Sequence, residues 1–287
     1  MSIILSQKKR QFNFIFRFLR SMPISIKLSF FWLLIIFMIS IFADVLRPYP
    51  ITQLDLMNRL ASPGFNSHLL GTDELGRDIL SRLIESIRVS MQIAFGATIC
   101  SAVLGTFLGF LAARFRGIVE NCVMMLADFQ AAMPFLILAL SVLAFIGNSI
   151  IILTLLLGLY GWERYARIAR GLALSANSQG YAGAVRQLGA RPLRIYVHHI
   201  LPNIASTLIV SMTLIFPEII LLESSLSFLG LGVQPPMSSL GNMISFGREY
   251  LSNAPWIMFA PSLIIILTTM SVSFFGDWVR DKLDHDS

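Results

Sequence analysis

The chain has 287 residues, 55% of them hydrophobic and only 13% charged, with a mean hydropathy of +0.73. A soluble domain of this size buries its core with far less apolar material, so the composition points to a polytopic membrane protein. The formal charge of +6 comes from short basic clusters beside apolar runs rather than from one basic face, a pattern of loop orientation in a membrane and not of nucleic-acid binding.

Residues 1–27 carry Lys8, Lys9, Arg10, Arg17, Arg20 and Lys27 without an acidic residue, and an apolar run from Leu28 to about Val45 follows. The run is too long for the apolar core of a secretory signal, and no small-residue cleavage site follows it. An uncleaved first span over 28–46 behind a cytoplasmic basic tail is therefore expected. Further spans are expected over about 89–113, 120–146, 149–163, 203–222 and 256–276, each near the roughly 20 residues that cross a bilayer core. Six spans that start inside end inside, and sixteen of the 22 Lys and Arg then fall in cytoplasmic segments. The expected fold is all-α: six transmembrane helices, both termini cytoplasmic, an external segment over 47–88, a transmembrane domain over 89–280 containing a cytoplasmic loop over 164–202, and a tail over 281–287.

In the external segment, Pro48 and Pro50 stop the first span, and the string HLLGTDELGRD (His68–Asp78) places turn glycines at Gly71 and Gly76. Apolar residues then recur at Ile79, Leu80, Leu83, Ile84 and Ile87, with Asp78, Arg82, Glu85 and Arg88 largely off that stripe. This spacing predicts an amphipathic interfacial helix leading into the second span. Within that span, Gly105-x3-Gly109 with Gly96, Ala97 and Ala102 predicts close helix packing. Cys100 and Cys122 lie in apolar runs and read as small buried hydrophobes, arguing neither a disulfide nor a metal site.

The third span contains Asp128, with Pro134 interrupting its helix six residues later. An ionisable residue there is a functional candidate for a translocation path, or else a helix-end carboxylate that caps a neighbour or pairs with an arginine. Trp162, Tyr165, Arg164, Arg167 and Arg170 read as an aromatic and basic belt at a water interface. The fifth span carries Pro217, Glu218 and Glu223, and each carboxylate either faces a translocation path or lies in the interface. From Ser224 to Ile244, Gly230, Gly232, Pro235 and Pro236 preclude one continuous helix, so a short re-entrant or surface-lying segment is expected.

The stretch Tyr181–Asn203, YAGAVRQLGARPLRIYVHHILPN, is a polar island. Gly189 ends one short helix and Pro192 suits the first turn of a second. Arg186, Arg191 and Arg194 lie in it with no Asp or Glu, a small basic surface suited to a protein partner. His198 and His199 are adjacent and point about 100° apart on a helix, a poor metal pair. The sequence has no G-x4-G-K-[ST] phosphate loop, no H-E-x-x-H and no G-x-S-x-G, so no catalytic residue, bound metal or bound cofactor is expected in this chain.

The spacing of Gly183-Ala184-Val185, Gly189, and His199-Ile200-Leu201-Pro202 resembles the EAA loop of bacterial ABC importer permeases, E-A-A-x3-G-x9-I-x-L-P. Gly183, Val185 and His199 depart from that motif, and Gly183 removes its glutamate. The strings GTDELGRDILSRLI, LSFLGLGVQPP followed by Gly241-Asn242-Met243, and FGDWVRDKLD resemble the second permease of the dipeptide, oligopeptide and nickel subfamily. The resemblance implies an inner-membrane subunit that works with a second similar permease, two ATPase subunits that use ATP and Mg, and a periplasmic or lipid-anchored substrate-binding protein. It assigns ATPase coupling to Gly183, Ala184, Val185, Arg186, Gly189, Arg191, Arg194, Leu201 and Pro202. Binding-protein docking falls to Gly71, Thr72, Asp73, Gly76, Arg77, Asp78, Gly230, Gly232, Gln234 and Pro235. Dipeptides or short oligopeptides are the implied cargo, with nickel or metal–chelator complexes, glutathione and antimicrobial peptides as alternatives. An ion-coupled secondary transporter using Asp128, Glu218 or Glu223 is the rival of another class, but the inverted repeats it predicts are not visible.

Overall fold

The computed structural model describes residues 22–65, 68–178 and 192–285, and its regular elements there are helices, with two isolated β-bridges in the loop before residue 79. Helix α1, Ile24–Ile41, begins directly after Pro23 and is apolar all round, with Phe31, Phe37 and Ile41 exposed. Helix α2, Ile79–Phe115, runs for 37 residues. It starts where the Asp78 carboxylate accepts the Ser81 N–H and ends at Arg116, whose φ of 46° leaves helical space before Gly117.

The amphipathic segment 79–88 is continuous with the long apolar helix it leads into, with Ile79, Leu83, Ile84 and Ile87 inside and Arg82 and Glu85 buried beside them. Nothing between Ile79 and Phe95 breaks a helix, and both charges find partners, so one straight element results.

The expected third span breaks where Pro134 interrupts it, and the expected fourth is divided in two. Residues 117–146 form α3, Gly117–Ala132, and α4, Phe135–Ile146, bent by 91° at the break between them. Pro134 supplies no N–H and forces Met133 into extended backbone (φ −86°, ψ 136°), so the turn is local chemistry. The expected span 149–163 is replaced by α5, Ile150–Gly158, only nine residues long, and the polar α6, Trp162–Ser178, separated at Gly161 with φ +79°. Helix α7, Leu201–Phe228, continues from a turn over Pro192–Ile195 and a π-turn over Tyr196–Ile200. Helix α8, Leu240–Gly247, is short, and α9, Trp256–His285, closes the bundle. Among the described residues, four helices are long and apolar enough to cross a membrane, or five when the bent pair counts as one span.

Side-chain pairing fixes the directions. Gly96 meets Thr154, Gly158 meets Cys100, Gly105 meets Tyr165, and Gly109 meets Ala169, so α2 runs parallel to α5 and α6. Helix α7 and the π-turn before it run opposite to α2, with Tyr196 tilted against Phe110 and Phe216 against Phe95 at centroid distances of 5.2 and 4.8 Å. Helix α1 opposes α9, where Trp32 Nε1 donates to Thr268 Oγ1 at 3.2 Å and Phe30 lies against Phe275. Cys122, read from sequence as buried, is exposed on α3.

The α2–α6 seam depends on glycine. A Cβ at Gly105 would sit 2.2 Å from the Trp162 carbonyl oxygen and 2.6 Å from Tyr165 Cβ, and one at Gly109 would sit 2.5 Å from the Ala166 oxygen. Such approach lets two backbones gain dispersion contact where lipid supplies no hydrophobic drive. Gly105→Val is expected to cost about 1–3 kcal/mol and to lower the thermal unfolding midpoint of the detergent-solubilised protein by several degrees. Gly171→Ala, which meets nothing within 4 Å, leaves that midpoint unchanged or raised.

Candidate functional site

Three groups of the sequence-derived candidates are described: a turn cluster before α2, a serine–glutamate knot around α8, and a row of ion pairs along α6.

The turn cluster is built inward. Asp73 is fully buried; its Oδ1 accepts from the backbone N–H groups of Leu75 and Arg77, each at 2.9 Å, and its Oδ2 from Arg77 Nε at 2.6 Å and from Arg82 Nη1. Thr72, also fully buried, accepts the Ala61 N–H at 2.9 Å and donates to the Asn58 carbonyl. Gly76 has φ +72°, and a Cβ there would lie 1.7 Å from the Asp55 oxygen, so only glycine closes this turn. Asp78 caps α2 through Ser81 and meets His68 Nδ1 at 2.9 Å, while Gly71 packs against Ala61 and Trp256. Thr72, Asp73 and Asp78 thus present no free surface to a partner. What the cluster displays instead is apolar: Leu54, Leu56, Met57 and Leu69 are exposed, Met57 at 94%. Sequence reasoning missed these four because they lie in an irregular stretch without periodicity.

Around α8, Glu223 is 1% exposed and therefore turns away from any open surface, which corrects its reading as a residue facing a path in this conformation. Ser227 Oγ donates to its Oε1 at 2.7 Å and Ser90 Oγ to its Oε2 at 3.3 Å. Ser90 Oγ also accepts the Leu240 N–H at 3.1 Å, and Ser239 Oγ lies 3.2 Å from Ser227 Oγ and caps α8 at Asn242. The knot joins α2, α7 and α8 and holds the non-helical segment that sequence expected. Gly232 fits against Ser227, where a Cβ would come within 1.9 Å of the hydroxyl. Gln234, before Pro235, is exposed, and its Nε2 donates to the Gly232 carbonyl at 3.0 Å and the Gly230 carbonyl at 3.3 Å.

Along α6 the arginines form no simple belt. Arg164 Nη1 donates to Glu218 Oε1 at 2.9 Å, Arg167 Nη2 to Asp128 Oδ1 at 3.0 Å, and Arg170 Nε to Glu120 Oε1 at 2.6 Å. Tyr160 Oη donates to the second Glu218 oxygen at 2.7 Å. Asp128 and Glu218 are thus brought to one helix as arginine partners, while Glu223 belongs to a different cluster. Tyr160 and Glu120 were not singled out from sequence, because their partners lie 58 and 50 residues away.

The coupling candidates Gly183, Ala184, Val185, Arg186, Gly189 and Arg191 lie outside the described residues. Of the remainder, Arg194 and Pro202 are exposed and Leu201 is half-buried, beside Ile195, Tyr196 and Ile200, which are buried. Tyr196 on Phe110 anchors this edge near the end of α2.

The turn cluster yields a stability prediction. Asp73→Ala leaves the Arg82 guanidinium, 5% exposed, without its carboxylate. That is expected to cost on the order of 3–5 kcal/mol and to reduce the yield of folded protein from detergent extracts, whereas the exposed Glu249→Ala has little effect.

The family described as binding-protein-dependent transport system inner membrane component matches residues 105–286. The di/tripeptide transport system permease protein DppC of Pseudomonas aeruginosa (strain UCBPP-PA14) is 36% identical over 259 residues, which cover 88% of this chain and 85% of that protein. The oligopeptide transport system permease protein OppC of Bacillus subtilis is 34% identical over 252 residues, covering 88% and 82%. The glutathione transport system permease protein GsiD of Pectobacterium atrosepticum is 34% identical over 268 residues, covering 93% and 88%. The fold is similar to a chain of the MetNI methionine ABC transporter in an inward facing conformation, with a TM-score of 0.54 and 20% identity over 71% of this chain and 97% of that one. A membrane-crossing helical bundle, and relatives above 30% identity along most of its length, place this chain among the inner membrane components of binding-protein-dependent transport systems, as a multi-pass permease subunit.

Proposed function

We propose that this chain imports dipeptides or short oligopeptides across the bacterial inner membrane as one of two homologous permease subunits, driven by two ATPase subunits and fed by a periplasmic or lipid-anchored binding protein. The observation that carries the reading is 36% identity with a di/tripeptide permease over 88% of the chain. The glutathione permease relative, 34% identical, supports a second reading in which the cargo is a tripeptide with thiol and carboxylate groups. ATP and Mg stay on the partner ATPases.

In this reading the end of the bundle near Phe110 and Tyr196 is cytoplasmic and the turn cluster is external. Opposed pairing of α1 with α9, α2 with α7, and α3 with α6 supports six passes with both termini inside, the bent α3–α4 pair and the broken α5–α6 pair each making one pass. The segment from Gly183 to Pro202 seats in the ATPase and tilts α6 and α7 between inward-open and outward-open arrangements. Arg186, Arg191 and Arg194 add positive surface to it. The exposed Leu54, Leu56, Met57 and Leu69, with Gln234 and Pro235, meet the loaded binding protein, while the buried Gly71, Thr72, Asp73, Gly76, Asp78 and Gly232 and the half-buried Arg77 hold that surface in shape. Asp128 and Glu218 belong to the translocation path.

The test is a pull-down from detergent-solubilised membranes that compares the native chain with a Gly189→Pro, Leu201→Asp double variant. The native chain is expected to recover both an ATPase and a second permease, and the variant to lose roughly tenfold of the ATPase while keeping the permease. Purification of the native chain alone contradicts the assembly.

A further inference from the structure

The ion pairs on α6 sit at a depth where lipid does not accept them. The apolar part of α2 runs between Arg88 and Arg114, with Ser101 at its middle. Ser101 Oγ donates to the Tyr160 carbonyl at 2.7 Å, so Tyr160 marks the middle of the apolar layer. Tyr160 Oη holds Glu218, and the first turn of α6, which carries Arg164, packs on Gly105, four residues past Ser101 and about 6 Å along α2 at 1.5 Å per residue. Yet the Arg164 and Glu218 side chains are 45% and 37% exposed, and Arg167 and Asp128, the next pair along α6, are 44% and 73% exposed.

The outward faces of the helices differ in kind. Helix α9 turns out Phe259, Leu263, Ile266, Met270 and Phe274, a stripe that suits lipid tails. Helix α6 turns out Arg164, Arg167, Gly171 and Ser175, with no large apolar residue among them. Charged groups exposed to hydrocarbon are strongly disfavoured, so the α6 face must meet water or polar protein. The face is also neutral in sum: three arginines and three carboxylates, each arginine bonded to one carboxylate.

We propose that the face of α6 bearing Arg164 and Arg167, with Glu218 on α7 and Asp128 on α3, lines the aqueous passage, and that its balanced ion pairs suit substrates carrying both an ammonium and a carboxylate. A paired lining offers exchangeable partners to each end of a zwitterion without holding either tightly, as passage requires both entry and release. An unpaired arginine would retain acidic cargo, and an unpaired carboxylate would retain basic cargo. The substrate half of the inference rests on the peptide-import reading above; the placement of the face does not.

Two measurements test it in cells that express the full transporter. First, in a Cys100→Ala, Cys122→Ser background, Asp128→Cys and Arg167→Cys are treated with a membrane-impermeant cationic thiosulfonate alongside Leu263→Cys on the α9 stripe. Both positions, Arg167 on α6 and Asp128 facing it from α3, are expected to react about tenfold faster than Leu263→Cys, since the reagent needs water. Equal rates overturn the placement, including the case in which the face is sealed by a polar surface of the second permease. Second, uptake of aspartyl-alanine and lysyl-alanine is compared in Glu218→Gln and Arg164→Gln. The acidic-to-basic uptake ratio is expected to fall roughly fivefold in Glu218→Gln and rise roughly fivefold in Arg164→Gln. Proportional loss of both peptides in both variants means that the pair is merely structural and overturns the charge-balance claim. If the native chain imports neither peptide although its ATPase is recovered, the cargo reading and its charge-balance corollary fail together, and the labelling rates still decide where the face lies.

Discussion

A charge inside a membrane persists only beside a partner, and the described bundle is arranged around that constraint. Arg82 enters the buried start of α2 because Asp73 is already there, itself held by two backbone N–H groups and Arg77. Glu85 in the same turn takes Arg47 at 3.1 Å, which ties the end of the first span to the second. Among the described residues, Glu223 has no cation in ion-pair contact and is met by serine hydroxyls instead. Glu85 and Glu223 draw partners distant in sequence, so charges that look costly one by one become the joints between helices.

Small residues do the complementary work. Gly96, Gly105 and Gly109 bring α2 against α5 and α6 along one seam, and that seam sets how far apart the rest of the bundle can stand. With α6 fixed to α2 on one side, its arginines reach α3 and α7 on the other. A displacement of α6 at the end leading into residues 179–191 therefore acts on two neighbouring helices through ion pairs and on a third through close packing. This gives the permease assignment a physical route from a cytoplasmic partner to the middle of the membrane.

Much of this was legible in the sequence, and the misses have a common cause. The spans of α1, α2, α7 and α9 follow from apolar length, the close seam from Gly105-x3-Gly109, the bend from Pro134 and the interruption after Phe228 from Gly230, Gly232, Pro235 and Pro236. The expected span 149–163 is not one continuous helix: the apolar residues on both sides of Gly158 and Gly161 looked continuous, although α5 ends at Gly158 and α6 begins a polar face at once. The string GTDELGRD was legible as structured but not as inward-facing, since spacing does not report that Asp73 will find Arg82 across a turn. Glu223 and Glu218, five residues apart on one helix, look alike in sequence; serines on α2 and α8 bury the first, and Tyr160 and Arg164 hold the second at a surface. For the two glutamates, partners more than 50 residues away decide the difference, and local pattern carries no record of them.

The most direct measurement is uptake of dialanine into proteoliposomes that hold the purified complex and its binding protein, driven either by ATP or by an imposed proton gradient. An ATP-driven permease subunit requires ATP and the loaded binding protein, and shows no uptake on the gradient alone. Uptake driven by the gradient without ATP would contradict the account and make the intramembrane carboxylates the energy-coupling groups.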